Sequence, residues 1–111
     1  MQGYKLTNPN GTIYGFFNDK DRATKSANQA LMTYGFIPKL EAVELPEITE
    51  SHWNLIDQYG NDKVFESNSL EQLKSDVEFH YQDNANFHET QAIQVGIDAN
   101  GDYVEYQIVG F

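Results

Sequence analysis

A chain of 111 residues with seven Phe, seven Tyr and one Trp carries enough large apolar surface to offset the ordering of one core, so it reads as a single domain rather than a disordered segment. Its formal charge of −10, from 17 acids against seven bases, argues against direct contact with nucleic acid or an anionic membrane, whose phosphates it would repel. The absence of cysteine removes disulfides, thiol nucleophiles and cysteine-ligated zinc, and without a membrane-length apolar run or a signal-peptide start a cytoplasmic location is expected.

In chain order, Tyr4-Lys5-Leu6 reads as extended, Asn8-Pro9-Asn10-Gly11 as a turn, and Thr12 to Phe17 as a strand rich in aromatic and β-branched residues. Asn18 or Asp19 then caps a helix of about 14 residues. Ala23, Ala27, Ala30, Leu31 and Tyr34 share its apolar face, and Gly35 stops it. Leu40 to Leu45, between Pro38 and Pro46, is a third strand. His52 to Ile56 and Lys63 to Glu66 form a second strand pair around the turn Asp57 to Asn61. Ser69 with Gln72 has the form of a capping box, opening a helix whose face is Leu70, Leu73, Val77 and Tyr81. Thr90 to Ile97 alternates as a strand, and Asn100-Gly101 turns the chain into a last strand, Tyr103 to Val109.

The expected fold is therefore α+β, antiparallel sheet with two helices, in one domain over residues 1–111. Residues 1–45 read as a β-β-α-β unit and 46–111 as a β-β-α-β-β unit. An aromatic-x-Leu followed by Gly five residues on occurs as Tyr4-Lys5-Leu6 to Gly11 and again as Trp53-Asn54-Leu55 to Gly60. This marks either a pseudo-repeat of β-β-α-β units or two independent hairpins with similar turns. Charge divides the two parts sharply. Residues 1–45 hold four acids and five bases, whereas 46–111 hold thirteen acids and two bases, a net −11.

No arrangement in the sequence carries catalytic or cofactor chemistry, so neither a catalytic residue nor a cofactor is expected. His52, His80 and His88 lack the spacing of a helical metal pair, and Asp98-Ala99-Asn100-Gly101-Asp102 lacks the distal ligands of a calcium loop, so no metal is expected. Lys20, Arg22 and Lys25 cluster where they would meet phosphate, but Asp19 and Asp21 lie among them and oppose that contact.

What remains is an acidic surface formed by Asp57, Asp62, Glu66, Glu71, Asp76, Glu78, Asp83 and Glu89, with Phe79 as an apolar anchor among the carboxylates. Phe79 falls opposite Leu70 and Val77 on an ideal helix; alternatively the helix ends early, and Val77, Phe79 and Tyr81 alternate as a strand or pack against a loop. Carboxylates three or four apart on a helix stand about 5–6 Å apart, and alternate strand positions about 6.6 Å, spacings that let them imitate a row of phosphates. In size and charge, though in no motif, the chain resembles phage and mobile-element proteins that block host nucleases or CRISPR effectors by mimicking nucleic acid.

That resemblance implies a non-enzymatic inhibitor whose partner is a basic protein surface. The alternative is an interaction module that pairs with a second copy of itself through exposed aromatics and sheet edges, as a homodimer. Replacing Leu73 or Val77 by Asp is expected to unfold the domain, because each would bury an unpaired charge; a cooperative thermal transition in the double variant would show that this helix face is assigned wrongly.

Overall fold

The computed structural model describes residues 1–56, 66–81 and 91–110, with 77–81 given by backbone alone. Its elements are β1 (Gln2–Thr7), β2 (Ile13–Phe17), α1 (Lys20–Tyr34), β3 (Lys39–Glu44), β4 (Glu50–Ile56), β5 (Glu66–Ser67), α2 (Leu70–Tyr81), β6 (Gln91–Ile97) and β7 (Tyr103–Gly110). The strands hydrogen-bond in the order β3-β1-β2-β7-β6-β4-β5, giving an α+β architecture. Its sheet is not wholly antiparallel, as the sequence suggested, because β2 and β7 run parallel, with Phe16 opposite Val104 and Phe17 opposite Glu105. Strands joined by a short turn must be antiparallel; β2 and β7 are joined by most of the chain and escape that constraint.

Two compact units can be distinguished, Met1–Glu50 with Gly96–Tyr106, and Ser51–Val95 with Gln107–Phe111. In the first, β1 lies between β2 and β3, Tyr4 facing Phe17 on one side and Ala42 on the other. Alternation along these strands sends Leu6 and Phe17 to one face, where they are buried with Ala23 and Ala27 of α1. Phe16, Leu45 and Val104 are buried as a separate cluster with Ile13, Val43, Ile48 and Tyr106 packed against it. Alanines along α1 let the helix backbone approach the sheet closely. Asp19 caps the helix by accepting from Arg22 N–H at 3.1 Å, and Gly35, at φ 80°, closes it by donating to Leu31 O at 3.0 Å.

The apolar face of α1 is shorter than its sequence period. Ala23, Ala27 and Ala30 are buried, but Leu31 and Tyr34 are 43% and 64% exposed. Spacing assigns these two residues to the inner side of the helix, but the last turn of α1 leaves both exposed.

In the second unit, Leu55, Leu73 and Ala92 are buried together, with Trp53, Leu70 and Val109 against them. Ser69 Oγ accepts from Gln72 N–H at 3.4 Å. The reciprocal half of the expected capping box is replaced: Ser69 N–H donates to Ser67 Oγ at 3.3 Å, and the Gln72 side chain turns to Asp76, its Nε2 donating to Oδ1 at 2.9 Å. The helix continues to Tyr81, which removes the alternative that Val77, Phe79 and Tyr81 form a strand.

The repeated plan survives in the topology. Within β3-β1-β2 and within β6-β4-β5, the first strand in chain order is central, flanked by its hairpin partner and by the strand that follows the helix. Tyr4 pairs with Phe17 and Trp53 with Ser67; Asp19 and Ser69 stand before the two helices, and Ala23 and Leu73, one turn in, are both fully buried.

The last hairpin is held by one carboxylate. Asp98 Oδ1 accepts from the N–H groups of Asn100 and Asp102, both at 2.9 Å, while Gly101, at φ 81°, completes the turn. Just before it, Gly96 passes against the backbone carbonyl of Glu50, and a Cβ there would also stand 2.6 Å from Ile48 Cγ2. Gly96→Ala is therefore expected to destabilise the protein by about 2–3 kcal/mol or more in urea unfolding. Gly110→Ala, where an added methyl meets nothing within 4 Å, should stay within about 0.5 kcal/mol.

Candidate functional site

Of the nine residues expected to bind a partner, Asp57, Asp62, Asp83 and Glu89 lie outside the described residues, and Glu78 and Phe79 belong to the backbone-only part of α2. The other three fall on two neighbouring elements of one unit. Glu66 and Glu71 are exposed, on β5 and in the first turn of α2, and Asp76 is half-buried in its hydrogen bond from Gln72. Glu66 Oε1 stands 3.6 Å from His52 Nε2, an ion pair only when the imidazole is protonated. Glu71 sits at the helix N-terminus, where the helix dipole favours a carboxylate.

One member of the basic cluster at the start of α1 is held within the fold. Arg22 is largely buried and grips Glu105 with two hydrogen bonds, Nε to Oε1 at 2.6 Å and Nη2 to Oε2 at 3.0 Å. Tyr103 OH also donates to Glu105 Oε2, at 2.8 Å. Sequence reading placed Arg22 with Lys20 and Lys25 because all three are neighbours in the chain; the partner that claims it lies 83 positions away. Lys39 is likewise engaged, with Glu41 at 3.6 Å, and the terminal amine of Met1 with Glu44.

Among the described residues, no three His, Cys, Asp or Glu side chains converge as a metal site. The buried carboxylates Asp98 and Glu105 are both committed to the structural bonds above. Asn54 on β4 is fully buried, opposite Glu66, and neither amide atom has a hydrogen-bond partner among the described residues; a buried amide without partners costs stability.

A concave feature that sequence reading missed lies in the first unit. A cavity of about 400 Å³ is lined by Asn8, Pro9, Asn10, Tyr14, Tyr34 and Phe36. One wall is the turn between β1 and β2, held rigid by Asn8 N–H to Thr12 O at 2.8 Å and by Thr12 Oγ1 to Asn10 Oδ1 at 2.7 Å. Tyr14 is presented by a β-bulge: Leu6 pairs with Gly15 but Thr7 with Ile13, leaving Tyr14 unpaired between them, which is how bulges redirect a side chain. Tyr34 ends α1, and Phe36 follows the left-handed Gly35; their rings lie 5.8 Å apart and nearly parallel, at 15°. Met32 and Ile37, on either side of Tyr34 in the chain, are exposed. The sequence signal lies in Asn8-Pro9-Asn10-Gly11 and Tyr34-Gly35-Phe36, which locally spell a turn and a helix stop, and only the fold brings them together.

Comparison with protein-family models, with curated proteins and with solved structures gave no match. The chemistry of this chain therefore rests on its own residues. Replacing Arg22 by Met is expected to cost about 3–5 kcal/mol, since it strands the buried Glu105 carboxylate, while Arg22→Met combined with Glu105→Leu should recover most of that loss. Urea unfolding of the two variants checks this.

Proposed function

We propose that this chain is a non-enzymatic binding protein that uses its carboxylates to occupy a basic surface on another protein. The target class this charge fits is a nucleic-acid-binding enzyme, a host nuclease or a CRISPR effector, inhibited by a protein that stands in for nucleic acid. The observation that carries the reading is the charge imbalance after Leu45, thirteen acids against two bases, together with the exposure of Glu47, Glu50, Glu66 and Glu71. The commitment of Arg22 and Lys39 to carboxylates of the same chain adds to it, since these bases do not offset the field by forming a cationic patch.

A specific feature favours a second reading, self-association. Leu45 N–H donates to Met1 O at 2.8 Å, so in the alternating antiparallel ladder the odd-numbered residues of β3 bond β1, and the N–H and C=O groups of Leu40, Ala42 and Glu44 point to the sheet edge. Pro38 and Pro46 bracket this edge and limit the length of any added strand.

The two readings separate by salt. Immobilised protein in lysate of its native host should capture a basic nucleic-acid-binding protein that is released by high salt and competed by added DNA or RNA. The variant with Glu47, Glu50, Glu66 and Glu71 all changed to Gln should lose capture several-fold. Recovery of the protein alone, as a salt-insensitive dimer by sedimentation, would retire the inhibitor reading in favour of self-association.

A further inference from the structure

Two turns of this protein share one hydrogen-bonding pattern. In Asn8-Pro9-Asn10-Gly11-Thr12 the first N–H donates to the last carbonyl at 2.8 Å, and Gly11 N–H donates to Asn8 O at 2.9 Å. In Asp98-Ala99-Asn100-Gly101-Asp102 the same two bonds measure 3.1 and 3.0 Å, and the two glycines sit at φ 88° and 81°. Each turn carries an exposed asparagine before its glycine, and these are the two Asn-Gly pairs of the sequence. Such a pair is open to cyclisation, because no Cβ on the glycine hinders approach of its nitrogen to the asparagine amide.

Side chains divide the two turns. Asn10 Oδ1 accepts from Thr12 N–H at 3.1 Å and from the Thr12 hydroxyl at 2.7 Å. Asn8 Nδ2 donates to the same hydroxyl at 3.0 Å, which strengthens it as a donor. In the second turn the N–H of Asp102, the counterpart of Thr12 N–H, goes instead to Asp98 Oδ1, together with that of Asn100, both at 2.9 Å. Donors on an amide oxygen stabilise the negative charge that the oxygen takes up when its carbon is attacked. The buried Asp98 carboxylate has the opposite effect on Asn100, since it disfavours the charge of a deprotonated glycine nitrogen in the same turn. The bond from each glycine N–H to the head of its turn slows both sites alike and cancels between them.

We propose that Asn10 is a site of spontaneous deamidation, selected over Asn100 by the side-chain bonds of its turn. Hydroxide removes the Gly11 N–H proton, the nitrogen pair forms a bond to Asn10 Cγ, and the Cγ–Oδ1 π pair moves onto Oδ1, where the two Thr12 donors hold it. When that pair returns, the Cγ–Nδ2 bond breaks, and Nδ2 takes a proton from water and leaves as ammonia, regenerating hydroxide. Water then opens the cyclic imide, at Cγ to give aspartate or at the Asn10 main-chain carbonyl to give isoaspartate. One water is consumed and one ammonia released. Either product adds a carboxylate to the lining of the cavity that Asn10 helps to form. The site stands on these two turns and does not depend on the partner reading above.

The test is peptide mapping by mass spectrometry of the full chain after incubation in mildly alkaline buffer, folded and in urea. In the folded protein Asn10 should convert at least about fivefold faster than Asn100, a small part of the roughly hundredfold or more that one such donor supplies in a water-excluded site. In urea, with the side-chain bonds gone, the two rates should come within about twofold. Thr12→Val, at an exposed position, should slow Asn10 several-fold in the folded protein, and Thr12→Ser, which keeps the hydroxyl, should retain the rate; neither should move Asn100. Conversion of Asn100 at or above the rate of Asn10 in the folded protein would overturn the proposal. So would a preference for Asn10 that persists undiminished in urea, which would trace it to sequence, or an unchanged Asn10 rate in Thr12→Val.

Discussion

The pairing of Arg22 with Glu105 is the interaction on which the first unit depends. Strands β2 and β7 are parallel neighbours with no turn between them to set their register, and a slip of one residue would exchange the buried and exposed sides of β7. Three contacts fix the register at one point. Asn18 N–H donates to Glu105 O at 2.9 Å, the Arg22 guanidinium takes both carboxylate oxygens of Glu105, and the rings of Phe17 and Tyr103 meet edge to face at 6.0 Å. A neutral pair could pack there as well; a bidentate ion pair tolerates far less displacement.

From that point the rest of the unit follows. With Glu105 under Arg22, Val104 turns to the other side and joins Phe16 and Leu45, while Leu6 and Phe17 lie against the alanines of α1. Small helix residues bring α1 close to the sheet, and that closeness is confined to its first three turns. The last turn runs past the covered area, exposing Leu31, Met32 and Tyr34. The same geometry that buries the start of the helix thus leaves its end to line a cavity with the β1–β2 turn.

Exposed charge and an aromatic-lined cavity differ in how they could act on a partner. Exposed carboxylates act at long range and weaken with salt, whereas an aromatic pocket acts only on contact and rewards a particular side chain. A surface of carboxylates alone would discriminate poorly among basic proteins.

The sequence by itself determined what is local. Asp19 and Gly35 bound α1, Ser69 precedes α2, Asn100-Gly101 turns the last hairpin, and aromatic-x-Leu repeats at the central strands β1 and β4, because caps, tight turns and strand alternation depend on residues within a few positions of one another. The acidic candidates Glu66, Glu71 and Asp76 were legible as charge, though not the hydrogen bond that turns Gln72 toward Asp76. Only the tertiary structure decided that β2 and β7 run parallel, that Arg22 is held by Glu105, that Leu31 and Tyr34 lie beyond the edge of the core, and that a bulge turns Tyr14 toward Tyr34 and Phe36. Each of these is a meeting of residues distant in the chain, and helical or strand periodicity records which way a side chain points, not what stands opposite it.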